Sequence, residues 1–157
     1  MTGVGPGESD RQTFPGMLPL EIAIIKAWLI QHEKEYDRFE YNVRIGSGTD
    51  PGPSYDPTMR KMALDITKKR VDAVAWQGSA PTLIEVKNRA TLAAVGQILS
   101  YNVLWKQDYP TGPDPKLLLI AATFDPDTIP VLNAHNVTWT AIPVNPLFIP
   151  RRMFPRS

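Results

Sequence analysis

The chain has no cysteine, only two histidines and almost no net charge, +1 over 157 residues. Without thiols there is no disulfide framework and no thiolate zinc site, so a metal would have to be held by oxygen or histidine ligands; the lack of cysteine does not distinguish one compartment from another. A charge so close to zero gives no overall basic footprint of the kind that coats nucleic acid, and any such contact must be local. Long apolar runs are missing too. The longest, Leu20 to Ile30, is interrupted by Glu21 and Lys26 and is much too short to span a bilayer. The opening MTGVGPGESDRQ has neither the basic start nor the apolar region of a secretory signal. The expectation is a soluble chain with no membrane partner.

What is present suffices for one core. At 157 residues and 43% hydrophobic content the chain matches one domain, and two would be cramped. Residues 1–17 and 144–157 are rich in Pro, Gly and polar residues and lack periodicity, so they are expected to be extended tails on a domain spanning 18–143. The C-terminal tail mixes apolar residues with Arg151, Arg152 and Arg156, a composition suited to wrapping a partner but too short to fold alone.

Between the tails the pattern changes repeatedly. PLEIAIIKAWLIQHEKEY predicts a helix with Pro19 at its first position and a charged last turn. FEYNVRI alternates as a strand does, and GSGTDPGPSYDP is a loop. TMRKMALDIT predicts a short helix, and KRVDAVAW and PTLIEVKN, joined by turn residues, predict a β-hairpin. Leu92, Val95, Leu99 and Val103 fall at helical spacing in the next segment. KLLLIAATF is a continuous apolar run suited to a strand buried on both faces. DPDTIPVLNAHN predicts a short helix and VTWTAIP a last strand. The fold class is therefore α/β.

The chemistry concentrates on the hairpin. Alternation along its first strand predicts one face carrying Arg70, Asp72, Val74 and Trp76, and along the second a face carrying Leu83, Glu85 and Lys87. A mid-strand Asp beside Val and Ala is costly to bury unless it is paired or binds a metal. Either residue taken singly also fits a surface ion pair on a half-exposed sheet. Together they put two carboxylates and an ammonium at one spot. Carboxylates that close repel unless a divalent cation neutralises them, and hard oxygen ligands favour magnesium or manganese. Lys68, Lys69 and Arg70 add local positive charge at the strand entrance, read either as a nucleic-acid contact or as a solvated turn.

Asp72 followed by Glu85, Val86 and Lys87 resembles the signature of the PD-(D/E)XK nuclease superfamily, and the order of elements fits that family. The resemblance implies a restriction-endonuclease-like core, a central mixed β-sheet flanked by helices. It also implies a metal site using Asp72, Glu85 and Val86, with Lys87 assisting catalysis. Gln97 and Tyr101 resemble the Gln-x-x-x-Tyr element of the branch related to RecB nucleases and Holliday-junction resolvases, and their spacing puts both on one helical face. In that reading they join the catalytic set; otherwise Tyr101 is a core aromatic with a wet tip and Gln97 a surface residue. The superfamily's first helix often supplies a metal-binding Glu. Glu21, on the same stripe as Ile25 and Trp28, fits that role, and it equally fits a first-turn acid complementing the helix dipole. Val71 stands before Asp72, so the Pro-Asp dipeptide is absent, and His32 and His135 read as structural.

The implied function is metal-dependent DNA hydrolysis, endo- or exonucleolytic, with Mg2+ or Mn2+ as cofactor and DNA as partner. The alternative is a nuclease-fold structural component of a larger assembly, such as a phage connector or tail-associated protein, joined to other subunits through the tails. The corresponding location is the cytoplasm, or a virion if the chain is phage-encoded. A restriction-like homodimer is a third reading, with Trp105, Leu147 and Phe148 as candidate exposed apolar contacts.

Overall fold

The structure, a computed structural model, describes residues 13–144. Helix α1, Pro19–His32, opens with Pro19 in its first turn, and the Glu21 carboxylate accepts the Leu18 backbone N–H at 2.9 Å, satisfying one orphan donor of the helix start. The helix ends four residues short of the expected Tyr36, because Glu33–Glu35 tightens into a 3-10 turn and Tyr36 is already extended. Strand β1, Arg38–Ile45, then leads through the expected loop to α2, Pro57–Thr67, which Asp56 caps by accepting the Met59 N–H at 3.0 Å.

The predicted hairpin is β2, Lys69–Gln77, and β3, Ala80–Ala90, turning through Gly78 at φ 57°, a left-handed position that favours glycine. Helix α3, Leu92–Asp108, carries the chain back so that β4, Lys116–Phe124, runs parallel to β3. A short helix α4, Thr128–Ala134, makes the second crossover to β5, Thr138–Ala141, parallel to β4. The five strands lie in the order β1-β2-β3-β4-β5, antiparallel on the β1–β2–β3 side and parallel from β3 to β5. This is the expected α/β architecture, a central mixed sheet flanked by helices.

Side chains alternate across the sheet into two cores. On one face Leu83, Leu117, Leu119 and Ala121 meet Ala94, Val95, Ile98, Tyr101 and Trp105 of α3 and Leu132 of α4. On the other face Ile84, Val86, Leu118 and Ile120 meet Ile24, Ile25, Trp28 and Leu29 of α1. Each fully buried Ile or Leu is worth about 1.5–3 kcal/mol relative to exposure, so these layers hold β3 and β4 rigidly between them. The stripe that predicts α3 is not the face it buries: Leu92 is 58% and Val103 54% exposed. Trp105, expected at the surface, is buried against Trp76 at 5.9 Å between ring centroids, because it follows Tyr101 by one helical turn on the core face. Leu147 and Phe148 lie outside the described residues. Phe14, within the expected N-terminal tail, packs edge-on against Tyr41 at 4.9 Å and is buried.

The β1–β2 ribbon departs from simple alternation at one step. Phe39, Tyr41, Ala73 and Ala75 face the α1 side, while Val43, Ile45 and Val71 face the α3 side. Tyr41 pairs with Ala73 and Val43 with Val71, but Asn42 and Asp72 between them form no paired step. Asn42 is left-handed at φ 53°, a conformation asparagine tolerates better than other non-glycine residues, and there the ribbon exchanges its faces. The face predicted to carry Arg70 and Asp72 together with Val74 and Trp76 is therefore broken at Asp72.

Candidate active site

The face exchange is what makes Asp72 available. Pairing of β2 with β3 stops at Ala73 and Ile84, so beyond that point β3 loses its antiparallel neighbour. The Asp72 carboxylate takes over: its Oδ2 accepts the Val86 N–H at 2.8 Å. A bond of an ionised acceptor to a backbone donor is stronger than a neutral one and fixes the carboxylate at the mouth of the divergence. Alternation on β3 is regular here, so Glu85 and Lys87 project on the same face as Leu83, toward α3.

Glu85 is 2% exposed, and its Oε1 lies 3.1 Å from Lys87 Nζ. Its Oε2 is buried and has no hydrogen-bond partner. An unsatisfied buried carboxylate oxygen is costly, which marks it as a group that a ligand completes. Burial, and then the Asp72 charge, push the Glu85 carboxyl up to about 8 despite Lys87. Asp72 is raised to about 6, first by burial; its bond from Val86 pulls it back, and the Glu21 charge adds to the rise. Burial alone would lower Lys87, but the carboxylates of Glu85, Asp72 and Glu21 outweigh it and hold the ammonium above its ordinary value. Tyr101 is raised by burial and then by the charges of Glu85 and Asp72, so its hydroxyl stays protonated. A hydrogen-bond interaction with Glu85 adds to this rise.

The sequence-predicted set is thus only partly assembled. Asp72, Glu85, Lys87 and Tyr101 share one electrostatic environment, and Glu21 acts on it from α1 while capping its own helix. Of the two roles considered for Glu21, the helix-start one has a direct counterpart in its bond from the Leu18 N–H. Among the described residues no group of three His, Asp or Glu side chains is placed to hold a metal ion. A metal would rest on Asp72 and Glu85, and Val86 could add only its backbone carbonyl. Gln97, one turn before Tyr101 on α3, is half-exposed, and its side chain makes no hydrogen bond to a described residue. Lys68 is engaged with Asp65 at 3.7 Å, Lys69 is exposed, and Arg70 lies directly opposite Arg44 on β1. His32 bonds Glu35 at 3.1 Å and stacks on Trp28. Sequence reading missed Asn42 and Arg44; an Asn inside an alternating strand was the available signal for the first.

No protein-family profile and no curated protein matches the sequence. Among solved structures, the chain is similar to one described as "Structure of EndoMS-dsDNA2 complex", at 14% identity and a TM-score of 0.49. The similarity covers 83% of this chain and 47% of that one, so this chain spans about half of that protein's length.

Proposed function

We propose that the protein is a divalent-metal-dependent nuclease of the PD-(D/E)XK kind that hydrolyses DNA phosphodiester bonds. The observation that carries the reading is the buried, unpartnered Glu85 oxygen beside the Asp72 carboxylate, with the Lys87 ammonium against the other Glu85 oxygen. Two carboxyls raised first by burial, Glu85 also by the Asp72 charge and Asp72 by that of Glu21, fit a hard divalent cation such as Mg2+ or Mn2+, which would offset both burial and repulsion. Bound there, such an ion supplies positive charge for the phosphate oxygens and acidifies an adjacent water.

The chain's own residues do the rest. Asp72, held by the Val86 N–H, keeps one ligand direction fixed. Lys87 remains protonated in this acidic surrounding, so its Nζ can stabilise negative charge developing on the phosphate. Tyr101, kept protonated, offers a hydroxyl donor at the same spot, and Gln97 is a further contact from the helix edge.

The test is cleavage of labelled linear and circular DNA, with RNA in parallel, in magnesium, manganese or EDTA. Metal-dependent cutting by the wild type is expected, reduced about 10²–10³-fold or more in Lys87→Ala and Asp72→Ala. Cutting that survives both substitutions refutes this site.

A second reading, a nuclease-fold subunit of a larger assembly, is favoured by α2. Tyr55, Met59, Met62 and Ile66 form an exposed apolar stripe with Pro51 around a groove of about 300 Å³. A particle mass above the monomer in light scattering, lost in Ile66→Glu, supports that reading. No helix among the described residues is long and apolar enough to cross a membrane.

A further inference from the structure

Helix α2 is amphipathic, yet its apolar side is turned away from the domain. Met59, Met62, Ala63 and Ile66 recur at the spacing of a single helical stripe, and Met59, Met62 and Ile66 are each more than half exposed. The other side of the helix is tied to the loop that precedes it. The Thr67 hydroxyl accepts the Thr49 N–H at 2.6 Å, the Arg60 Nε donates to Asp50 at 3.1 Å, and Gly48 lies so close that a Cβ there would stand 2.0 Å from the Leu64 carbonyl oxygen. No other helix or strand among the described residues packs closely on α2. The helix is therefore held in place with its stripe outward, and Pro51 and Tyr55 extend the stripe into a groove of about 300 Å³ that can receive side chains from outside.

The charges beside the stripe are those of a surface that matches itself. Lys61 and Asp65 lie on one flank, about one helical turn apart. Lys61 is exposed and has no ion pair among the described residues, and Asp65 holds Lys68 only at 3.7 Å. When a second α2 is laid antiparallel on the first, about a two-fold axis passing between Met62 and Ala63, Met59 of each copy meets Ile66 of the other and Met62 meets Ala63. The same operation brings equal flanks together, so Lys61 of each copy comes beside Asp65 of the other. Apolar contact and charge are thus satisfied by one register, as a two-fold interface requires. A lipid surface fits less well, because Lys61 and Asp65 cancel and leave that flank without the excess of positive charge by which interfacial helices hold anionic headgroups.

We propose that the exposed face of α2 is a homodimer interface, in which two copies of this chain pair their α2 helices antiparallel. This rests on the reading of α2 as an assembly surface and is independent of whether the carboxylate site cuts DNA. The area sets the strength. An apolar patch of roughly 300–600 Å² per copy gives a total at or below the ~1,200 Å² at which stable interfaces begin. The dimer is therefore weak, with a Kd between about 1 µM and 1 mM, and dilute protein is monomeric.

The experiment is sedimentation equilibrium of the full chain over that concentration range. The wild type is expected to rise from the monomer to twice its mass and no further, since a two-fold contact closes on itself. Ile66→Glu should stay monomeric. Lys61→Glu and Asp65→Lys should each weaken the dimer roughly tenfold, because each sets like charges across the contact. An equimolar mixture of Lys61→Glu with Asp65→Lys should return close to the wild-type Kd, because both charge pairs are then restored between unlike copies; a mixture no tighter than either variant alone overturns the antiparallel pairing. In dilute solution the melting temperatures of the variants should match the wild type, and if Ile66→Glu melts earlier the charge-reversal mixture still decides. A wild type that grows past the dimer keeps α2 as an assembly surface and sinks the two-fold pairing. A dimer that survives Ile66→Glu and both charge reversals sinks the pairing and the α2 reading together. A wild type that is monomeric throughout also sinks the pairing, and its capture by anionic vesicles would assign the stripe to a lipid surface.

Discussion

Helix α3 packs on the sheet and buries Ala94, Val95, Ile98, Tyr101 and Trp105, whereas α2 buries no side chain and turns Met59, Met62 and Ile66 to solvent. The charges beside them diverge in the same way. Next to α3, burial raises Glu85 to about 8 and Asp72 to about 6. Beside α2, exposed Asp50 is lowered to about 2 by its hydrogen bonds from Arg60 and the Gly52 N–H. The same residue types are pushed in opposite directions according to how much water surrounds them: desolvation dominates at the first place and pairing at the second.

The largest effect that would sharpen this contrast is on stability. Ile98→Ala, at a fully buried position of α3, should cost roughly 2–5 kcal/mol in urea unfolding. Ile66→Ala on α2 should stay within about 0.5 kcal/mol, and a comparable loss there would mean that α2 carries a packed surface after all.

Next comes the metal. At pH 8, magnesium or manganese at a hundredfold excess over its Kd should stabilise the protein by about 2.7 kcal/mol, seen as a rise in Tm, and Asp72→Ala should abolish the rise. Loss of the ion's effect in Ile66→Ala as well would break the separation of the two regions.

The pH dependence has opposite signs in the two places. Raised carboxyls mean that the folded state binds protons that the unfolded chain has released, so the metal-free protein is most stable below about pH 4 as far as these groups are concerned and loses that contribution as pH rises through about 6 and about 8. A Tm falling by several degrees from pH 5 to pH 9 in EDTA is expected, and Glu85→Gln should flatten most of the decline. Asp50 works the other way: its contribution is present above the ordinary carboxylate range and is lost as pH falls toward about 2. Asp50→Asn should therefore lower Tm least of all, at neutral pH and no longer in strong acid, because water screens the pair.

Much of the molecule could be read before its structure. The strands at 39–45, 69–76 and 116–124 and the helix over 90–109 lie within a few residues of the observed elements, because periodicity and turn residues act locally. The Glu85 and Lys87 face was legible for the same reason, since β3 alternates regularly. Asp72 was identified, but the single face drawn from Arg70 to Trp76 does not hold: a left-handed residue on the neighbouring strand, Asn42, exchanges the faces of the pair, and a rule of twos cannot anticipate that. Trp105 was misplaced because the stripe of Leu92, Val95, Leu99 and Val103 suggests a different buried face from the one α3 uses, which carries Ala94, Val95, Ile98, Tyr101 and Trp105. Arg44 was passed over because one arginine in a strand looks like any exposed charge until the register supplies its opposite number.

The amino-acid sequence by itself determined the α/β class, the hairpin and the acid-rich motif on it, since these follow from backbone preferences and the spacing of apolar residues along the chain. Only the tertiary structure decided which charges are deprived of water, where β2 leaves β3 so that Asp72 can bind the Val86 N–H, and that Arg44 faces Arg70. The physical reason is that desolvation and charge–charge repulsion depend on distances between segments remote in sequence, and those are set by how the sheet and its helices pack.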